Sequence, residues 1–437
     1  MAEEDTYTKH GYRWTVLVVY GLVMCVQAFL WLSFAPIESS VQDVLGKSAT
    51  MIGLLALVGP FMFIIVASPA GALSDRRGWR YATSIGVVML IVAAAIKAVT
   101  PHVTGNTDVQ YWVYLLMQVL GGTGAVFAMV NLSKMPIKWF PEKQRALANG
   151  LTTMSMYLGA AIGLPLVTAI AAIPEGASRA TATAGLNRVL LVMAIIMGVV
   201  GVLFFLLSKE APPTPAGPEP EVETLSLRET FPRFMRSAQF RVLCLVSLVG
   251  YGVYISLTVT MEKLMTYHGF TTSFAAFVAA GITMGGIVGA AVIPGISEKV
   301  GLRKPFLILA AAPAIPGLLI LAFVGSKPLA LITGIIMGFC LLPALPVTFT
   351  IVGEMPDIGP KLAATAVGTL LAVGSIGSAF VPLLVRAMGR KQVGDVIDYR
   401  IALVLLAALT AVALALVIAY VKETGPKREG AVTPESE

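Results

Sequence analysis

A chain of 437 residues that is 57% hydrophobic and only 13% charged, with a mean hydropathy of +0.84, carries far more apolar side chain than one water-soluble core accommodates. That composition excludes an ordinary soluble domain and points to a membrane protein. The 31 Lys and Arg outnumber the 24 Asp and Glu for a net charge of +7, an excess that basic loops on one side of a bilayer supply without any nucleic-acid partner.

The opening "MAEEDTYTKH" is acidic and polar, with no basic stretch ahead of a short apolar one, so no cleavable leader is expected and the first apolar run is retained. Twelve apolar runs follow, each about long enough to cross a hydrocarbon core of about 30 Å as a helix. They fall near residues 13–36, 50–73, 81–99, 111–133, 146–172, 187–208, 239–262, 273–296, 305–324, 328–353, 362–386 and 398–421. Gly, Pro and charge clusters mark the breaks between them. With the N-terminus inside, 21 of the 31 basic residues lie on the cytoplasmic side and 10 on the other. Both termini are therefore expected in the cytoplasm, and the protein in the inner (plasma) membrane of the cell. Cys25, Cys244 and Cys340 each fall within a span and act as small apolar residues, which leaves no disulfide framework.

Residues 209–238 interrupt the pattern with Pro212, Pro213, Pro215, Pro218 and Pro220. The composition predicts an extended, solvated linker. It separates a six-helix bundle over 1–208 from a second over 239–423, followed by a tail over 424–437. Between Leu225 and Met235, apolar residues mix with Arg228 and Arg233, so this part either lies along the inner membrane surface or forms a plain solvated loop.

The loop between the second and third spans, "GALSDRRGWR", has a counterpart between the eighth and ninth, "PGISEKVGLR". Pairing Asp75 with Glu298 also pairs Gly78 with Gly301 and Arg80 with Arg303, an internal repeat. The acid-x-x-Gly-x-Arg pattern in corresponding loops of two six-span halves resembles the signature of the major facilitator superfamily, and the first copy follows its Gly-x-x-x-Asp-Arg-x-Gly-Arg loop from Gly71 to Arg80. The resemblance covers the whole chain. It implies an all-α integral membrane protein of twelve transmembrane helices in two six-helix bundles. It also implies a gating role for Gly71, Asp75, Arg76, Gly78, Arg80, Glu298 and Arg303, which hold helix ends together in one state of alternating access. The acid suits a helix N-terminus and the arginines suit helix C-termini. Pro294 replaces Gly71 in the second copy, so that latch is expected to differ.

The family places the substrate between the halves near the midplane, on spans 1, 4, 7 and 10. Charge is scarce there. Glu262 and Lys263 fall near the outer end of span 7, Glu38 at the outer end of span 1, and Lys134 and Glu354 at inner ends. Lys97 closes span 3, and its ammonium is expected to snorkel outward. No Asp, Glu, Arg or Lys is expected at mid-depth. Gln118 in "QVLGGTGA" stands where proton-driven antiporters of the superfamily carry Arg, and their span 5 pattern is kept only in part, because Leu164 intrudes before Pro165. Proton-coupled antiport is disfavoured. Gly159 and Gly163 read as close helix packing.

Mid-depth offers instead the aromatic and amide groups Gln27, Trp31, Gln118, Tyr157, Tyr251 and Tyr254. Aromatic rings in a dry cavity hold an organic cation through the ring quadrupole, at about 2 kcal/mol or more each, without a carboxylate. Equally, such rings pack against neighbouring helices. The stretches "YRWTVLVVYGLVMCVQAFLW", "AAAIKAV", "MQVLGGTGAVF" and "LVGYGVYISLTVTMEKLM" resemble the feline leukaemia virus subgroup C receptor family, carriers associated with choline, ethanolamine and haem. That resemblance implies that Trp31 and Tyr254 flank a quaternary ammonium. Tyr157 and Gly374 stand where the family has Gln, so choline itself does not follow.

His10, His102 and His268 lie apart, with no metal-ligand spacing and no nucleophile–base pair, so neither an enzyme, a metal nor a cofactor is expected. The sequence therefore reads as a monomeric carrier of a small organic solute in the lipid bilayer, a cationic or zwitterionic amine in first place. Organic anions or neutral metabolites are the alternative cargo, with Lys134, Arg386 or helix dipoles to hold an anion. A non-transporting receptor or sensor of the same fold is the other alternative.

Overall fold

A computed structural model of the protein describes residues 10–132, 134–174, 176–216, 232, 234–323, 325–356, 358–391 and 397–425. Those residues are almost wholly helical, with one antiparallel pair of two-residue strands, Arg390–Lys391 and Ile397–Asp398. Twelve segments are long and apolar enough to cross a membrane: Arg13–Leu45, Ala49–Ala67, Trp79–Val103, Thr107–Trp139, Ala148–Ala171, Arg179–Leu207, Ala238–Tyr267, Thr272–Ser297, Lys304–Phe323, Lys327–Glu354, Thr369–Ala387 and Arg400–Tyr420. These are spans 1 to 12, and each overlaps the corresponding apolar run of the sequence. Helices suit a bilayer because every backbone polar group finds its partner inside the segment.

Several spans are interrupted. Span 1 is a helix over Arg13–Trp31, a turn over 32–34, a 3-10 turn over Ala35–Ile37 and a second helix over Glu38–Leu45. Span 9 breaks between Ala311 and Ala314, and span 10 between Leu341 and Ala344. Pro36, Pro313 and Pro343 stand at these breaks, where a missing N–H removes one helical hydrogen bond.

The chain divides into two compact units, Met1–Glu221 and Val222–Glu437. Within the first, span 1 packs on span 5, span 2 on span 4, and span 3 on spans 4 and 6. Within the second, span 7 packs on span 11, span 8 on span 10, and span 9 on span 12. The two packing plans correspond under the six-span repeat. Span 5 can approach span 1 because a Cβ at Gly159 would strike the Cys25 carbonyl and one at Gly163 would come within 2.7 Å of the Phe29 ring. Close packing is thus what these two glycines provide. Spans 2, 4 and 6 each begin on a side-chain cap, with Ser48, Asn106 and Ser178 accepting from N–H groups of the first turn.

The beginning of the linker departs from the solvated segment expected of its composition. Trp139 Nε1 donates to the Lys209 carbonyl at 3.1 Å, Trp79 Nε1 donates to the Glu210 carbonyl at 2.6 Å, and Ala216 is buried on the first unit. Two buried indoles need acceptors for their N–H groups, and this backbone supplies them. Residues 217–231 and 233, and the tail after 425, lie outside the described residues; Phe234 is buried against Phe240 in the second unit, with ring centroids 5.2 Å apart.

Candidate functional site

The break in span 1 organises the polar groups of the first unit. Pro60 lacks the N–H that would bond the Ala56 carbonyl one turn earlier in span 2, and Trp31 Nε1 donates to that carbonyl at 2.7 Å. Gly59 leaves room for the indole, since a Cβ there would stand 2.7 Å from Nε1. Trp31, the last residue of its helix, is therefore pinned through its own N–H and remains half-buried. Gln118 of span 4 donates Nε2 to the Leu55 carbonyl at 2.9 Å and to the Trp31 carbonyl at 3.4 Å. Its Oε1 accepts from Lys97 Nζ at 3.0 Å, so both ends of the amide are engaged inside the unit. Gln27, one turn before Trp31, is 4% exposed and makes no side-chain hydrogen bond among the described residues. Tyr157 is half-buried on span 5.

Lys97 corrects two expectations at once. Its side chain is 3% exposed and turns into the bundle rather than out to the interface. At about 1.5 Å per residue, Gln118 lies about 16 Å along its helix from Thr107, and Lys97 about 9 Å from the helix end at Val103. Side chains on a helix lean toward its N-terminus, which carries the lysine stem deeper still. The Lys97 amine therefore lies near mid-depth, where no charge was expected. Phe34 presents its ring 5.7 Å from Nζ.

In the second unit, Tyr254 of span 7 is half-buried, and its hydroxyl shares a hydrogen bond with Thr283 Oγ1 of span 8 at 3.3 Å. Tyr251 lies against span 11 at Gly374, where a Cβ would come within 2.5 Å of its ring. The tyrosine fills the space that a side chain at 374 would otherwise take. Toward the other end of span 7, Glu262 and Lys263 are buried, and Arg386 Nη2 donates to the Val259 carbonyl at 2.9 Å. Beside them, the Arg400 guanidinium forks onto Asp398 at 2.9 Å and holds that carboxyl below its usual range.

The repeated loops form two related anchors. In the first unit the helix through Gly71 runs to Arg77 and ends at Gly78, whose φ of +93° is one that side chains rarely adopt. Lys134 Nζ donates to the Gly71 carbonyl at 3.2 Å, and Arg76 is exposed. Glu210 accepts from the backbone N–H groups of Trp79 and Arg80 at 3.1 and 2.8 Å, and Arg80 Nη2 donates to the Phe205 carbonyl at the C-terminus of span 6. In the second unit Glu423 accepts from the N–H groups of Arg303 and Lys304 at 2.6 and 3.1 Å, and Lys304 Nζ donates to the Ile418 carbonyl of span 12. Lys304 thus repeats the contact of Arg80. Counted from the glycine, the N–H groups that the glutamate meets lie one residue later in the second unit, at Arg303 and Lys304 against Trp79 and Arg80, so Lys304 and not Arg303 takes the place of Arg80. Arg303 instead binds the side chain of Glu354, the last residue of its helix in span 10, at 2.9 Å. The side chains of Asp75 and Glu298 lie outside the described residues.

Sequence reasoning missed Glu210 and Glu423. The signal was a Lys-Glu pair just beyond the last span of each half, at 209–210 and 422–423.

Residues 16–382 match the family model of the Major Facilitator Superfamily. The chain belongs to that superfamily. Among its relatives, the solute carrier family 49 member 4 homolog of Xenopus tropicalis is 24% identical over 311 residues, 68% of this chain and 67% of the relative. The choline/ethanolamine transporter FLVCR1 of Felis catus is 22% identical over 377 residues, 83% of this chain and 65% of the relative. A bacterial homologue of the human lysosomal transporter Spinster superposes with a TM-score of 0.74 at 17% identity, covering 94% of this chain and 98% of the other. A mutant of the nucleoside transporter NupG gives 0.70 at 12% identity, covering 93% and 100%. The fold is that of a membrane transporter of this superfamily, multi-pass and helical.

Proposed function

We propose that this superfamily member carries a small amine-bearing solute, cationic or zwitterionic, by alternating access, and that Trp31 presents its ring to the amine. The observation that carries this reading is the fixing of Trp31. Its indole N–H is consumed by the Ala56 carbonyl, the residue is only half-buried, and Gln27 stands one turn away with no hydrogen bond among the described residues. A ring held by its edge offers its face, and the face is what attracts an ammonium. Relatives named as choline/ethanolamine transporters support an amine as cargo. The basic-residue asymmetry supports a plasma-membrane orientation with both termini inside, and the Glu210 and Glu423 anchors support latching at the cytoplasmic ends of the spans.

The test is binding and counterflow in proteoliposomes. Affinity for a quaternary ammonium falls from wild type through Trp31→Phe to Trp31→Ala, and this gradient flattens for 3,3-dimethylbutanol, a neutral ligand of the same shape as choline. The same gradient for both ligands means an apolar pocket only. Binding without counterflow means a receptor in place of a carrier.

A further inference from the structure

We infer that Lys97 is a specificity-determining charge, selecting amines that also bear an acid group over amines that carry a positive charge alone; the inference rests on the reading of Trp31 as a substrate residue. The side chain is buried, near mid-depth, and one amide away from Trp31, because Gln118 bonds both Lys97 Nζ and the Trp31 carbonyl. Among the described residues no carboxylate pairs with it. Three features stabilise a cationic ammonium there: the Gln118 oxygen, the face of Phe34 at 5.7 Å, and the C-terminal end of the Arg13–Trp31 helix with its negative partial charge. The ring of Tyr114 stands beside that of Phe34, with centroids 5.8 Å apart, and among the described residues its buried hydroxyl has no hydrogen-bond partner. The Lys97 ammonium and the Tyr114 hydroxyl are both donors, a setting for a carboxylate or phosphate rather than for a second ammonium.

A fixed positive charge so placed repels any cation held at Trp31. For unit charges on the order of 10 Å apart, at an effective dielectric of about 20, the repulsion weakens binding by roughly tenfold. A zwitterion escapes this penalty by turning its acid group toward Lys97. Because the charge is buried, bulk salt screens it much less than it would a surface charge.

Choline and glycine betaine test the idea, since they share a trimethylammonium group and differ in bearing a hydroxyl or a carboxylate. Both are titrated against the full-length protein, wild type and Lys97→Gln, Lys97→Arg and Trp31→Ala. The glutamine keeps an N–H for Gln118 without the charge; the arginine keeps the charge. Wild type favours betaine, Lys97→Gln shifts the affinity ratio toward choline by about tenfold, and Lys97→Arg preserves the ratio. The wild-type ratio stays constant between low and high salt. A ratio unchanged in Lys97→Gln overturns the inference and leaves Lys97 as a holder of Gln118. If Trp31→Ala leaves both affinities intact, or wild type binds neither compound, the reading of Trp31 falls and takes the inference with it.

Discussion

Glu210 and Glu423 hold the same place in the two halves of the chain: each follows the last span of its unit and sets its carboxylate on the leading N–H groups of that unit's third span. Those N–H groups have no partner within their own helix, and a carboxylate there also meets the positive end of the helix dipole. Glu210→Ala and Glu423→Ala should each lower stability by about 1–2 kcal/mol, and the Gln variants by less. Thermal unfolding in detergent measures this. An unaltered midpoint in both Ala variants would show that water replaces the carboxylates at no cost.

The two anchors differ in kind. Ser74 bonds Asn131, a neutral pair, in the first unit. In the second, Arg303 forks onto Glu354 and reaches Ser297, with side chains 9% and 29% exposed. Arg303→Gln should cost about 1–3 kcal/mol, between the ranges for exposed and buried pairs. A double-mutant cycle with Glu354→Gln should give a coupling above about 1 kcal/mol, the size expected of a bidentate ion pair. Additive effects of the two substitutions would mean that the pair is independent of its charges.

Spans, halves and the repeated loops were legible in the sequence because each is a local pattern: a run of apolar residues, or an acid, a glycine and a basic residue at fixed spacing. What escaped was set by distance along the chain. Glu210 meets Arg80 across 130 residues, and the Lys-Glu pair that marks it emerges only when the ends of the two halves are compared. Lys97 sits where a lysine ordinarily reaches water, and only the position of Gln118 on the neighbouring helix turns it inward. Trp31 was legible as an aromatic residue within span 1; its attachment to span 2 depends on the carbonyl that Pro60 frees.

Asp398 gives the second unit a pH dependence of known sign. Arg400 holds its carboxyl below the usual value, so the ionised form is favoured in the folded protein. The stability this contributes is present above the unfolded-state value of about 3.9 and is lost as pH falls through the lower folded-state value. Thermal unfolding from pH 6 down to pH 3 should show a wild-type loss at the acid end that Asp398→Asn lacks. Parallel curves for the two proteins would assign the acid loss to other carboxylates.

Gly374 and Tyr251 should be energetically coupled. A methyl group at 374 would stand 2.5 Å from the tyrosine ring, closer than any real contact, so the ring must move. Gly374→Ala should cost about 1–3 kcal/mol by overpacking. Added to Tyr251→Ala, which opens the space, the same change should cost little. Thermal shifts of the four proteins close the cycle, and strict additivity would place Tyr251 elsewhere than against span 11.

The most local prediction concerns Pro60. The Ala56 carbonyl is open to the Trp31 indole because residue 60 has no N–H to offer it. Pro60→Ala restores that N–H, and span 2 can then close its own hydrogen bond, in competition with the indole. Helix propensity favours the alanine, so span 2 itself should gain stability. The indole, loosened, should bind an ammonium several-fold more weakly, since a ring that must be ordered on binding loses entropy that a pinned ring has already lost. Trp31→Phe has no N–H to lose, so adding Pro60→Ala to it should change affinity by less than Pro60→Ala does alone. Titration of the four proteins with one quaternary ammonium measures the difference. Equal effects of Pro60→Ala with and without the Trp31→Phe substitution would mean that the Trp31 to Ala56 hydrogen bond does not hold the ring in place for its ligand.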